Sequence, residues 1–138
     1  MGFYEIIEDV TADTGIRVRT KTLEELFCKA ILATFNEITD IEKVQPSKRV
    51  ELEVKGELPY LLADTINQAL VLHEKEKFVA SKCELVELGE DSVKVVLLGG
   101  EYDPKIHPSK LVIKAATYHR LRVEKVGEEF LAEVIFDI

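Results

Sequence analysis

The sequence predicts one α+β domain in two layers, with two main helices packed on one face of mixed, mostly antiparallel sheets. The chain has 138 residues, enough for one hydrophobic core and too few for two ordinary domains, so residues 1–138 are assigned to a single domain. Hydrophobic residues make up 46% of the chain and charged residues 32%, as in folded globular proteins. Strand-like segments outnumber the two helical segments, which lie between strands.

Three segments in the first half of the chain predict strands. Residues 3–7 are mostly apolar, residues 16–19 alternate apolar and basic side chains, and residues 50–54 alternate apolar and acidic ones. Alternation with a period of two is typical of a strand with one buried face. We therefore expect the apolar positions of the last two segments to face the core.

The two helices are predicted from periodicity and from their first turns. Thr22 and Glu25 form a capping box, in which the Thr hydroxyl accepts from the Glu amide. Apolar residues follow at helical spacing: Leu23, Leu26, Phe27, Ala30, Ile31 and Phe35. The second helix is predicted to run to about His73 or Glu74, with Pro59 in its first turn, where a missing N–H costs little.

The remaining segments predict strands only. These strands cover residues 78–88, 92–98, 111–118 and 130–136. The strand over residues 92–98 ends at the glycine pair Gly99–Gly100. The strand from residue 111 can continue through His119 to Val126. Gly127 then turns the chain into a terminal hairpin.

Acidic residues outnumber basic ones. The chain has 18 Lys and Arg against 26 Asp and Glu, so its net charge is 18 − 26 = −8. A domain that holds nucleic acid mainly by bulk charge needs clustered Lys and Arg, so this class is excluded. The start of the chain lacks signal-peptide features, and no apolar run approaches the roughly 20 residues that cross a bilayer. We expect a soluble cytoplasmic protein without membrane contact.

The two cysteines are too sparse for a disulfide-stapled scaffold. Cys28 and Cys83 are far apart and form no Cys-x-x-Cys pair. We therefore expect two free thiols, buried or partly buried, in a reducing compartment.

Acidic side chains cluster between the first two strands. Glu8, Asp9 and Asp13 supply the hard oxygen ligands that divalent cations prefer. The alternative is a turn in which the Asp side chains accept from local amides. The spacing alone leaves both interpretations open.

A second group of polar residues lies in the long loop after the glycine pair. Glu101, Asp103 and His107 fall within it, and loops of this length are often functional. An ordinary polar connection is the alternative.

Two further charged positions stand among apolar residues. Lys114 needs a carboxylate partner unless its ammonium group extends to water. His119 is a ligand, a proton carrier or a structural side chain. Asp137 lies in an apolar ending, beside the terminal carboxylate of Ile138. Burying it would require a partner or a metal, whereas a frayed end would leave it in water.

No catalytic template is present. The sequence has no Walker A loop, no Gly-x-Gly-x-x-Gly, no Gly-x-Ser-x-Gly and no His-Glu-x-x-His. The motifs therefore point to no particular reaction.

Taken in order, these segments resemble the archease family over nearly the whole chain. Residues 9–13 match its opening motif, with Val10 where the family usually has His, and residues 22–27 resemble its first helix. Residues 100–119 resemble the central signature, including Lys-Ala-x-Thr-Tyr-His, and the ending Val-Ile-Phe-Asp-Ile resembles the C-terminal signature. The Lys-Ala-x-Thr-Tyr-His string and the penultimate Asp are the most specific parts.

The resemblance implies a non-enzymatic partner of the tRNA-splicing RNA ligase. Archeases are small protein cofactors of the ligase that joins 2′,3′-cyclic-phosphate and 5′-hydroxyl RNA ends. They promote GTP-dependent guanylylation of a His of the ligase and its repeated turnover. A small metal-dependent hydrolase and a generic chaperone-like scaffold remain as alternatives.

The resemblance also implies a divalent-cation site for Ca, Mg or Mn. Its implied ligands are Asp13 and Asp137, with neighbours Asp9 and the carboxylate of Ile138. The implied functional residues are Lys114, His119 and Glu101. Val10 in place of His removes one polar contact from the opening loop but leaves its carboxylates.

Overall fold

The computed structural model describes residues 2–8 and 14–138, without the side chain of Leu85. Two α-helices are present in this part of the chain, α1 (Leu23–Ile38) and α2 (Tyr60–Glu76), with a short 3₁₀ helix over Ile41–Lys43. The strands are β1 (Glu5–Glu8), β2 (Thr14–Thr20), β3 (Lys48–Lys55), β4 (Phe78–Leu88), β5 (Ser92–Glu101), β6 (Ala115–Ala116), β7 (Arg122–Val126) and β8 (Glu129–Asp137).

The strands form two antiparallel sheets. The larger sheet has five strands in the order β1-β2-β8-β6, with β7 also paired to β8, and the smaller has the order β3-β5-β4. Each described strand pairing is antiparallel. The predicted α+β class is therefore confirmed.

Helix α1 contacts both sheets, through β2, β4 and β8, and α2 contacts strands β3 to β6. The predicted apolar stripe of α1 is buried apart from Leu23, which is half-buried. The predicted cap is also present, since the Thr22 hydroxyl accepts from the Glu25 amide at 3.1 Å. These contacts make α1 the central element of the core.

Strand β5 continues through the glycine pair to Glu101, so the predicted end at Gly99–Gly100 is wrong. A Cβ atom at Gly99 would lie 1.9 Å from the carbonyl oxygen of Val79 on β4. Gly99 is needed because the backbones of two paired strands approach closely here, which is one reason for a glycine inside a strand.

The continuous strand predicted from residue 111 towards Val126 is also wrong. Only β6 and β7 pair with β8 in this region. The amides of Lys110 and Leu111 instead donate to the carbonyls of Ile38 and Glu37 at the end of α1. A turn with Arg120 at φ 54° then separates β6 from β7. Strand-like alternation does not reveal which neighbour takes the backbone hydrogen bonds.

Cys28 of α1 and Cys83 of β4 form a disulfide with a Cα–Cα distance of 5.5 Å, so the expectation of free thiols is wrong. The two residues are 55 positions apart in sequence. They meet because α1 packs across β4, a tertiary contact that cysteine spacing does not show.

None of the helices in the described ranges is long and apolar enough to cross a membrane.

Candidate functional site

Three of the segments singled out in the sequence meet at one end of the five-stranded sheet. Phe136 of β8 pairs with Thr14 of β2 on one side and with Ala116 of β6 on the other. Thr14 in turn pairs with Glu8, the last residue of β1. We call this region, defined by Thr14, Lys114, Ala115, Ala116, Phe136 and Asp137, the sheet end.

Lys114 and Asp137 are neighbours at the sheet end. The Lys114 amide donates to the Asp137 carbonyl at 2.8 Å, and Ala115 lies directly opposite Asp137. Both side chains are exposed, and Ile138, which carries the terminal carboxylate, is 40% exposed. Among the described contacts, no ion pair joins the side chains of Lys114 and Asp137.

The two Asp residues of the opening motif, Asp9 and Asp13, lie outside the described residues. Thr14, which follows Asp13 in the chain, pairs with Phe136, which precedes Asp137. Within residues 2–8 and 14–138 no group of three or more His, Cys, Asp or Glu side chains is arranged to hold a metal ion. Among its described residues, the site has two carboxylates, the side chain of Asp137 and the C-terminal group of Ile138.

Helix α2 holds the segment that carries Lys114. The side chain of Asn67 accepts from the Ala116 amide at 2.7 Å and donates to the Ala116 carbonyl at 3.0 Å. Strand β6 is thus bonded to β8 on one edge and to a side-chain amide on the other. Because both backbone groups of Ala116 are satisfied, the short strand needs no further partner strand.

The residues after β6 are also tied to β8. The Thr117 amide and hydroxyl both donate to the Ile135 carbonyl, at 2.9 and 2.8 Å. The amide of His119 donates to the Thr117 hydroxyl at 3.3 Å, and the His119 side chain is exposed. His119 therefore lies on the same segment as Lys114 but beyond the last described pairing of β6.

Tyr118 reaches back from this segment to the first turns of α2. Its hydroxyl donates to Asp64 at 2.5 Å, and its ring lies 4.8 Å from the Tyr60 ring, tilted by 57°. The hydrogen bond to the Asp64 carboxylate raises the pKa of Tyr118, with smaller contributions from burial and from the charge of Asp64. A phenol that donates to a carboxylate resists ionisation, because the phenolate would lose that bond.

The second predicted cluster lies elsewhere. Glu101 is the exposed last residue of β5 in the smaller sheet, opposite Phe78, and no described contact joins it to Lys114. His107 is buried, its Nδ1 accepts from the Asp103 amide at 2.9 Å, and its ring lies 5.9 Å from that of Tyr102. These contacts give His107 a structural role within its loop.

Three residues of α2 that contact the site were missed in the sequence. Tyr60, Asp64 and Asn67 follow one another at intervals of four and three residues, which places them on one side of a helix. That spacing was a usable signal for a polar face, but it did not show which segment the face contacts.

The chain is similar to known proteins over nearly its whole length. The model of the Archease protein family matches residues 4–138. The chain belongs to the archease family. Protein archease of Methanopyrus kandleri is 36% identical over 132 residues, which cover 93% of this chain and 94% of the relative. Protein archease of Methanosarcina mazei is 38% identical over 140 residues, covering 98% and 95%.

Solved structures of archeases share this fold. The solution structure of protein 1598 of Methanobacterium thermoautotrophicum has a TM-score of 0.81 and 28% identity, and all of both chains is covered. The crystal structure of an archease from Thermotoga maritima, described as a possible chaperone, has a TM-score of 0.67 and 22% identity over 96% and 94% of the two chains. Family membership points to a non-catalytic protein, in agreement with the sequence-based expectation.

Proposed function

We propose that this chain is a protein cofactor that activates the GTP-dependent tRNA-splicing RNA ligase in the cytoplasm. It promotes guanylylation of the ligase's own His and lets the ligase turn over repeatedly. One observation carries the proposal. The segment with Lys114 and the C-terminal segment with Asp137, separate in sequence, are hydrogen-bonded neighbours with exposed charged side chains. They adjoin the strand that begins directly after the opening acidic motif.

The two exposed charges suit contact with a charged active site on another protein. The Lys114 ammonium group is a point charge that can bind a phosphate oxygen, and its backbone is fixed by the bond to Asp137. A group positioned before the partner arrives loses less entropy when it binds. The backbone that carries these charges is fixed, so the chain would lend the ligase a cation and carboxylates at a defined place on its surface rather than a reaction of its own.

A divalent cation is part of the proposal. Carboxylates are the ligands that Ca, Mg and Mn prefer, and Asp137 is followed directly by the terminal carboxylate of Ile138. Their mutual repulsion would be relieved by a cation. Asp13 and Asp9 would supply further oxygen ligands. The bound cation would supply positive charge where the ligase handles the phosphates of GTP.

Transfer of labelled GMP to the purified ligase tests the proposal. Wild-type protein should increase both the rate of guanylylation and the number of ligations per ligase. Lys114→Ala and Asp137→Asn should lose most of that stimulation, because each removes one exposed charge of the sheet end. Matched controls are Lys105→Ala, exposed in the preceding loop, and Glu129→Gln, exposed at the opposite end of β8. If both site variants stimulate as the controls do, the proposed site is wrong.

The two alternatives give different results in the same assay. A metal-dependent hydrolase would show turnover with the purified chain alone. A chaperone-like scaffold, as the description of the Thermotoga maritima protein suggests, would stimulate the ligase equally well without Lys114 or Asp137.

A further inference from the structure

Two tyrosines form an exposed pair beside the proposed site. Tyr60 is 51% exposed and Tyr118 is 54% exposed, although their rings pack against each other. Tyr118 lies four residues after Lys114 on the same segment, about 13 Å along an extended chain. The pair therefore extends the surface of the sheet end towards the start of α2.

The pair is held in place before any partner binds. The hydroxyl of Tyr118 donates to Asp64, and the segment before it is fixed by the paired hydrogen bonds between Asn67 and Ala116. A rigid, half-exposed tyrosine gives a large contact area at a small loss of side-chain entropy. Such residues dominate the energy of many protein–protein interfaces.

Asp64 indicates the chemistry of the partner. One of its carboxylate oxygens accepts from Tyr118, and the other makes no hydrogen bond in the described part of the chain. An arginine guanidinium can stack on a tyrosine face and donate to a carboxylate at once. A nucleobase stacked on the same rings would instead bring phosphate charge towards Asp64, in a protein of net charge −8.

We propose that Tyr60, Tyr118 and Asp64 form a docking site for an arginine side chain on the surface of a partner protein. The site is separate from the charges of Lys114 and Asp137 and supplies affinity rather than activation. The inference rests on the proposed function in one respect: the partner used to test it is the purified tRNA-splicing RNA ligase.

Titration calorimetry of wild-type and variant chains with the ligase tests the docking site. Tyr60→Ala and Tyr118→Ala should each raise the dissociation constant about tenfold or more, as loss of an interface anchor does. Phe3→Ala is a matched control, because Phe3 is 38% exposed and packs edge-on against Tyr4 at 5.0 Å in another part of the molecule. It should change the affinity less than about twofold.

The charge of the partner is tested at the same position. Tyr60→Lys should weaken binding more than Tyr60→Glu, since only the lysine repels an arginine. Equal effects of these two variants would overturn the arginine assignment, and unchanged affinity in both alanine variants would overturn the docking site. Ligase that binds neither wild type nor variants would overturn the proposed function together with this site. Circular dichroism confirms that each variant is folded.

Discussion

The side-chain amide of Asn67 pairs with both backbone groups of Ala116, at 2.7 and 3.0 Å. A side chain on α2 thereby takes the place that a neighbouring strand would occupy beside β6. Lys114 and Tyr118 lie two residues to either side of this contact. This half-buried amide therefore helps to hold the segment that carries both proposed surfaces.

Replacing that amide should destabilise the protein. Asn67→Ala leaves the Ala116 amide and carbonyl without their partners, which costs about 1–3 kcal/mol for a buried group. Urea unfolding measures the change in the free energy of unfolding. Gln68→Ala, at the next and exposed position of α2, should change it by less than about 0.5 kcal/mol. Equal stability of the two variants would show that the paired hydrogen bonds contribute nothing.

The disulfide should contribute measurably to stability. It links residues 55 positions apart, and closing a loop of that length in the unfolded chain is worth about 4 kcal/mol in the chain-entropy treatment. The Cys28→Ser/Cys83→Ser double variant should therefore unfold at lower urea than the oxidised wild type. Titration of thiols in denaturant checks the bond itself: the oxidised protein should show no reactive thiol. Two reactive thiols would contradict the pairing.

The hydrogen bond between Tyr118 and Asp64 should appear in an alkaline titration. The bond raises the pKa of Tyr118 above the value of about 10 found in unfolded chains. Its stabilising contribution is therefore fully present below pH 10 and is lost as the pH rises through the folded pKa. The tyrosinate absorbance of wild type minus that of Tyr118→Phe should titrate above pH 10. Asp64→Asn should shift this difference curve to lower pH, and an unshifted curve would contradict the bond.

Local sequence signals predicted most of the helices and strands. The capping box at Thr22 marks the observed start of α1, and the strand predicted over residues 78–88 has the observed bounds of β4. Such signals act within a few residues, so a single sequence contains them. Local signals do not predict a strand correctly where a residue is required by a distant contact, as Gly99 is by the backbone of Val79.

The candidate site was predictable only in part. The charged residues of the family-like segments were identified, but the pairing of β8 with both β2 and β6 is a long-range property that no local pattern encodes. The same holds for the contacts of Asn67 with Ala116 and of Cys28 with Cys83. Glu101 shares the central signature with Lys114 in the sequence, yet it ends a strand of the other sheet.

Guanylylation of the RNA ligase in the presence of Lys114→Ala, Asp137→Asn or the double variant asks directly whether the two residues act as one site. Residues that act as a unit show strongly non-additive losses. The double variant should therefore lose no more stimulation than the more severe single variant. Losses that multiply, as for independent sites, or full stimulation by all three variants would contradict a single activating site at the sheet end.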